Sequence, residues 1–120
     1  MPVATPQETP VLDEAYLAER FGGDSEFLRG LLTRFAAELP DRVQALRSAT
    51  DGGDLAEVER LAHSLKGVAA TIGVPAVKLL ASELTEAARK GDRETLLRLL
   101  PQLSADAERT VRTLGGATGG

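Results

Sequence analysis

Apolar residues in this chain recur at intervals of three and four, and glycines repeatedly cut the pattern short. Leu28, Leu31, Leu32, Phe35, Leu39, Val43 and Leu46 keep that spacing over almost twenty residues. It is the period of an α-helix with one buried face, and it excludes a half-buried strand there. Pro40 lies inside the run, but the spacing does not slip from Leu39 to Val43, so a kink rather than a break is expected.

The same logic marks four more helices. Asp13 can cap a short one that carries Leu12, Tyr16, Leu17 and Phe21, with Gly22 and Gly23 as its stop; Asp24 or Ser25 then opens the long helix. Asp51-Gly52-Gly53-Asp54 is a turn, and Asp54 with Glu57 has the spacing of a capping box. The third helix is predicted from about Leu55 to Ile72, with Gly73 as a left-handed stop. Pro75 suits the first position of the fourth, whose inner stripe is Val77, Leu80, Leu84 and Ala87 or Ala88. Gly91 ends that helix and Asp92 caps a fifth, with Leu96, Leu99, Leu100, Leu103, Ala107, Val111 and Leu114 inward; Pro101 interrupts its middle.

Four long helices with short connections cover their stripes most simply as an all-α, antiparallel four-helix bundle with a short additional N-terminal helix. The domain is expected over residues 11–114, between an arm at 1–10 holding three prolines, expected to be disordered, and a flexible Gly-rich tail at 115–120. A coiled-coil dimer competes poorly because turn signals arrive too often for long heptads; the stripes can be covered within one chain, so a monomer is expected. A formal charge of −4 gives no basic footprint for nucleic acid. Without cysteine there is no disulfide and no thiolate zinc site. No apolar run approaches the roughly 20 residues of a membrane span, and no signal-peptide pattern opens the chain, so a cytoplasmic location is expected.

The single histidine is the candidate for chemistry. Leu55, Val58, Ala62, Leu65, Ala69 and Ile72 define the inner stripe of the third helix, and His63 points roughly 140° away from its centre. Its neighbours along the axis, Ala56, Gly67 and Ala70, are all small. Gly67 weakens a helix by roughly 1 kcal/mol relative to Ala, and what it offers in return is clear space beside the ring. Such a face suits the close approach of a large partner. Lys66 stands on the same side, and Glu59 and Arg60 border the ring. Helical geometry alone is also met by an incidental exposed histidine.

Glu59 and His63 at i, i+4 could start a metal site, but there is no second histidine and no cysteine to complete it. Ser64 points about 100° from His63 and makes a poor nucleophile–base pair with it. No Walker pattern is present to cradle a nucleotide's phosphates. What remains is the imidazole itself as nucleophile, largely unprotonated at neutral pH, taking a phosphoryl group from a partner and passing it on while Lys66 offsets the oxygens' charge.

Ala62-His63-Ser64-Leu65-Lys66-Gly67, followed by Ala69-Ala70 and Ile72-Gly73, closely resembles the signature of histidine-containing phosphotransfer (HPt) domains. The likeness extends over about residues 11–114, including helix order and the proline of the second helix. It implies a four-helix bundle whose exposed histidine accepts phosphate on the ring nitrogen distal to the backbone. Donor and acceptor would be aspartates of response-regulator receiver domains in multistep His-Asp phosphorelays. Carried over, His63 is the phosphoacceptor, Lys66 the stabilising cation and Gly67 the source of steric access, with Ala56, Glu59 and Ala70 on the docking face. The chain would need no cofactor, because the receiver brings the magnesium; it would be a phosphocarrier rather than a self-sufficient enzyme.

Many members carry Gln or Glu twenty-two residues past the histidine, where this chain has Thr85; Glu86 points about 100° further round. That departs from chemotaxis-type kinases, in which a carboxylate there activates the histidine toward ATP. Arg89 matches a position where some members place a second basic residue, and it is equally a helix-end arginine favoured by the dipole. Arg89, Thr85 and Arg60 are therefore candidate supporting residues. Two other functions compete: the phosphoacceptor domain of a larger chemotaxis-type or hybrid histidine kinase, and a helical adaptor that transfers nothing; besides receiver domains, a sensor or hybrid histidine kinase is an expected partner.

Overall fold

The computed structural model describes residues 12–22 and 25–118. Five helices account for nearly all of them: α1 (Glu14–Phe21), α2 (Ser25–Asp51), α3 (Leu55–Ile72), α4 (Pro75–Arg89) and α5 (Arg93–Thr118). The long four run alternately up and down. α3 packs on α4, α4 on α5, α5 on α2 and α2 on α3, which closes an antiparallel bundle within one chain. The described part contains no strand, and none of its helices is long and apolar enough to cross a membrane.

The turns show why the helices stop where they do. Gly53, Gly73 and Gly91 all adopt positive φ, a conformation that favours glycine. After Gly91, Asp92 N–H donates to the Ala87 carbonyl at 2.8 Å, and after Gly53, Asp54 N–H donates to the Ala49 carbonyl at 3.0 Å. That second bond alters the expected capping box. Asp54 Oδ1 does accept from Glu57 N–H at 3.1 Å. Its own N–H already has a carbonyl, so the Glu57 side chain is free to turn elsewhere.

α2 and α5 both run unbroken through their prolines. Pro40 and Pro101 are exposed, so the carbonyls that lose a helical donor there, Ala36 and Leu97, lie on outer or half-buried faces. α5 also continues four residues past the Leu114 boundary expected from composition, reaching Thr118. Gly115 and Gly116 disfavour a helix without forbidding one. Residues 1–11, 23–24 and 119–120 lie outside the described residues, and with them the expected arm, the Gly23 stop, the Asp24 cap and the end of the tail.

The core matches the predicted stripes in Leu32, Phe35, Leu39, Leu46, Leu65, Leu84, Leu96, Leu103 and Leu114. Leu28, Leu31, Leu55 and Val111, expected inward, are only half-buried, because they lie at the edges of their stripes. The core also takes in three threonines that the apolar stripes do not mark. Thr50, Thr85 and Thr110 each donate their hydroxyl to the carbonyl four residues back, at 2.7–2.8 Å, which satisfies a polar group inside the core.

α1 lies across the end of the bundle where α3 finishes. Asp13 N–H donates to the Gly73 carbonyl at 2.8 Å and Tyr16 Oη donates to the Thr71 carbonyl at 3.1 Å. A Cβ on Gly73 would come within 3.0 Å of the Tyr16 ring. Gly73 therefore serves two purposes, the left-handed stop and the close approach of α1.

Candidate functional site

α3 positions the site because its inner face is so well determined. Val58, Ala62, Leu65 and Ala69 have no exposed surface, which fixes the rotation of the helix. His63 is accordingly exposed, one residue from buried Ala62, as the helical period requires. Its ring makes no hydrogen bond or ion pair with a described residue, which leaves both nitrogens open to a partner.

The small residues flank it as expected: Ala56 is exposed, Gly67 is exposed and Ala70 is half-buried. A Cβ on Gly67 would meet nothing within 4 Å. No described neighbour therefore demands glycine at this position. Lys66 is half-buried and makes no ion pair with a described residue. At i+3 from His63 it shares that side of α3, and no described residue pairs with its ammonium.

The three candidate supporting residues divide differently. Arg60 is held by Glu57 in a two-point pair, Nε to Oε1 at 2.6 Å and Nη2 to Oε2 at 2.8 Å. That hydrogen-bonded pairing lowers the Glu57 carboxyl and raises the Arg60 guanidinium from their ordinary values. Arg60 is thus drawn along the helix to Glu57, and the structure does not bring it to His63. Thr85 is also withdrawn. It is 5% exposed and its hydroxyl donates to the Ala81 carbonyl at 2.8 Å, so it contributes to the core rather than to the ring. Arg89 is different again. It reaches back to Glu86 at 2.7 Å and across to Glu59 on α3 at 3.4 Å.

The side of the site formed by α2 went unnoticed in the sequence. A groove of about 380 Å³ runs between α2 and α3 beside Gly67, with Leu31, Arg34, Glu38 and Arg42 on one wall and Val68 and Thr71 on the other. Arg42 crosses it to donate from Nη1 to Ser64 Oγ at 3.3 Å, and lies 3.9 Å from Glu38. Ser64 is therefore a tether between helices and not a partner of His63. The available signal was Leu31, Arg34, Glu38 and Arg42 at three-and-four spacing, just beside the inner stripe of α2. No group of three or more potential metal ligands is found among the described residues.

These features can be set beside known proteins. The Hpt domain family model matches residues 30–113. Histidine-containing phosphotransfer protein B (HptB) from Pseudomonas aeruginosa PAO1 has a similar structure, with a TM-score of 0.81 and 26% sequence identity, covering 92% of this chain and 96% of that one. A search of curated proteins finds no match. With the match extending over most of the chain and the bundle superposing almost end to end, this chain belongs to the Hpt domain family, the histidine phosphotransfer proteins of phosphorelays.

Proposed function

We propose that this chain is a phosphocarrier: His63 takes a phosphoryl group from the aspartate of a response-regulator receiver domain and gives it to another. The observation that carries the reading is an exposed histidine without a partner among the described residues, on a helix face cleared by Gly67, where no described residue requires a glycine. In the step, the unprotonated distal ring nitrogen attacks phosphorus. An N–P bond forms, the O–P bond of the aspartyl phosphate breaks, and its electron pair leaves on the aspartate carboxylate. The proximal nitrogen keeps its proton, so the phosphorylated ring carries a positive charge. Lys66 supplies a cation for the phosphoryl oxygens, and small Ala56 and Ala70 let the partner's surface come close. Magnesium and the remaining machinery would arrive with the receiver, so the chain itself calls for no cofactor. The site would meet such partners in the cytoplasm.

Thr85 supports this over the reading as a kinase's own phosphoacceptor domain. Its hydroxyl is turned into α4, so it offers the ring no acceptor to raise its basicity toward ATP. Incubation with a phosphorylated receiver is expected to place an acid-labile, base-stable label on the wild-type chain and none on His63→Gln. Label persisting on that variant, or absent from the folded wild type across a panel of receivers, would refute the proposal.

A further inference from the structure

Most ion pairs beside this face lie along one helix, as Arg60 with Glu57 and Arg42 with Glu38 do, but Arg89 with Glu59 joins α4 to α3. That bridge is one helical turn from His63, because Glu59 is at i−4 and residues so spaced hold their Cβ atoms about 5–6 Å apart. Building on the phosphotransfer reading above, we propose that Glu59 and Arg89 together set how strongly His63 retains a phosphoryl group: Glu59 holds the guanidinium at the α3 face and opposes the incoming charge, and Arg89 exchanges Glu59 for the phosphoryl oxygens.

The geometry suits an exchange. Arg89 is anchored on its own helix by the shorter bond, 2.7 Å from Nη1 to Glu86, and reaches Glu59 by the longer one, 3.4 Å from Nε. A guanidinium has five N–H donors, so it can release Glu59 without leaving Glu86. The bridge is largely in water, with the two side chains 58% and 39% exposed. Exposed pairs of this kind are weak, which makes this one replaceable. Before phosphorylation, Lys66 and Arg89 balance Glu59 and Glu86. The phosphoryl group adds close to two negative charges and the protonated ring adds one positive, leaving a deficit that Lys66 and a released Arg89 can offset. Glu59 stands one helical turn from His63 whether or not Arg89 is bound to it, so its carboxylate repels a phosphoryl group on the ring directly. In this proposal that repulsion exceeds its service in placing Arg89, and removing it favours phosphohistidine.

The test needs no receiver. Phosphoramidate can label the histidine directly: the ring nitrogen forms the N–P bond, the P–N bond of the donor breaks, and ammonia leaves with its electron pair. The fraction of His63 phosphorylated at a fixed ratio of phosphoramidate to ammonium, read by ³¹P NMR, then reports the stability of the bond. Glu59→Gln is expected to raise the phosphorylated-to-free ratio about threefold and Arg89→Gln to lower it about threefold, both effects shrinking in high salt. In the Glu59→Gln background, Arg89→Gln should cost more than it does alone, since the guanidinium there has no carboxylate to leave. Ratios unchanged in both single variants, or moved in the same direction without salt dependence, would overturn the exchange and leave a structural bridge only. A wild type labelled by phosphoramidate but by no receiver would sink the phosphorelay reading while this ratio still decides the exchange. If only a receiver labels it, the partition between His63 and the receiver aspartate is measured across the same variants; no label from either donor refutes both proposals.

Discussion

Gly67 and Gly30 make a matched pair. Both lie inside exposed helix, and a Cβ at either would meet nothing within 4 Å. Replacing either by alanine should therefore stabilise the fold by up to about 1 kcal/mol, since alanine is the better helix former. Their consequences for transfer should diverge. Gly30→Ala is expected to leave the rate of phosphoryl transfer from a receiver unchanged, whereas Gly67→Gln should keep the thermal transition and slow transfer at least tenfold by crowding the ring. Equal transfer rates for Gly67→Gln and the wild type would remove the steric role. At this scale the sequence reading was uneven. The period of α3 turns His63 and Gly67 outward and leaves Lys66 half-buried, because a 100° step is a property of the backbone. It could not say that Arg60 turns to Glu57, or that Thr85 bonds its own helix, because side-chain torsions answer to competing partners rather than to position.

The helix ends were legible because their chemistry is local. Asp92 precedes α5 and accepts from Thr95 twice, from the amide at 3.1 Å and from the hydroxyl at 2.6 Å. Those bonds hold its carboxyl below the ordinary 3.8. The sign follows from linkage: a depressed carboxylate contributes stability above its unfolded value and loses it as pH falls through the lower, folded one. Asp92→Ala should thus melt several degrees below wild type at pH 7, with the gap closing below about pH 3.8; a gap independent of pH would show that the carboxylate charge plays no part. The capping box at Asp54 was only half legible. Its missing half depends on the Ala49 carbonyl, which the turn brings to the Asp54 amide and which spacing alone does not reveal. Nor could composition place the end of α5, since glycine lowers helical propensity by a modest amount that continued hydrogen bonding can exceed.

Across the whole bundle, Asp106 is the residue most at odds with its surroundings. It is 7% exposed, Arg109 approaches one carboxyl oxygen at 3.3 Å, and the other oxygen has no hydrogen-bond partner among the described residues. Burial raises its carboxyl above 3.8, only partly countered by Arg109. A carboxyl raised in the folded state favours folding below pH 3.8 and forfeits that contribution as pH rises through its folded value. Asp106→Asn is therefore expected to melt higher than wild type at pH 7 and the same near pH 3, as followed by circular dichroism. A variant less stable at pH 7 would mean the ionised pair with Arg109 is favourable in place.

Periodicity, glycine placement and capping residues sufficed for five helices, their order and the outward histidine, because each is dictated by backbone geometry within a few neighbouring residues. The groove walled by Arg42, the α1 contact on Gly73 and the bridge from Arg89 to Glu59 arose only when the helices packed. Those contacts join residues far apart in the chain, and their geometry depends on which faces meet and at what height. One sequence carries no local record of either.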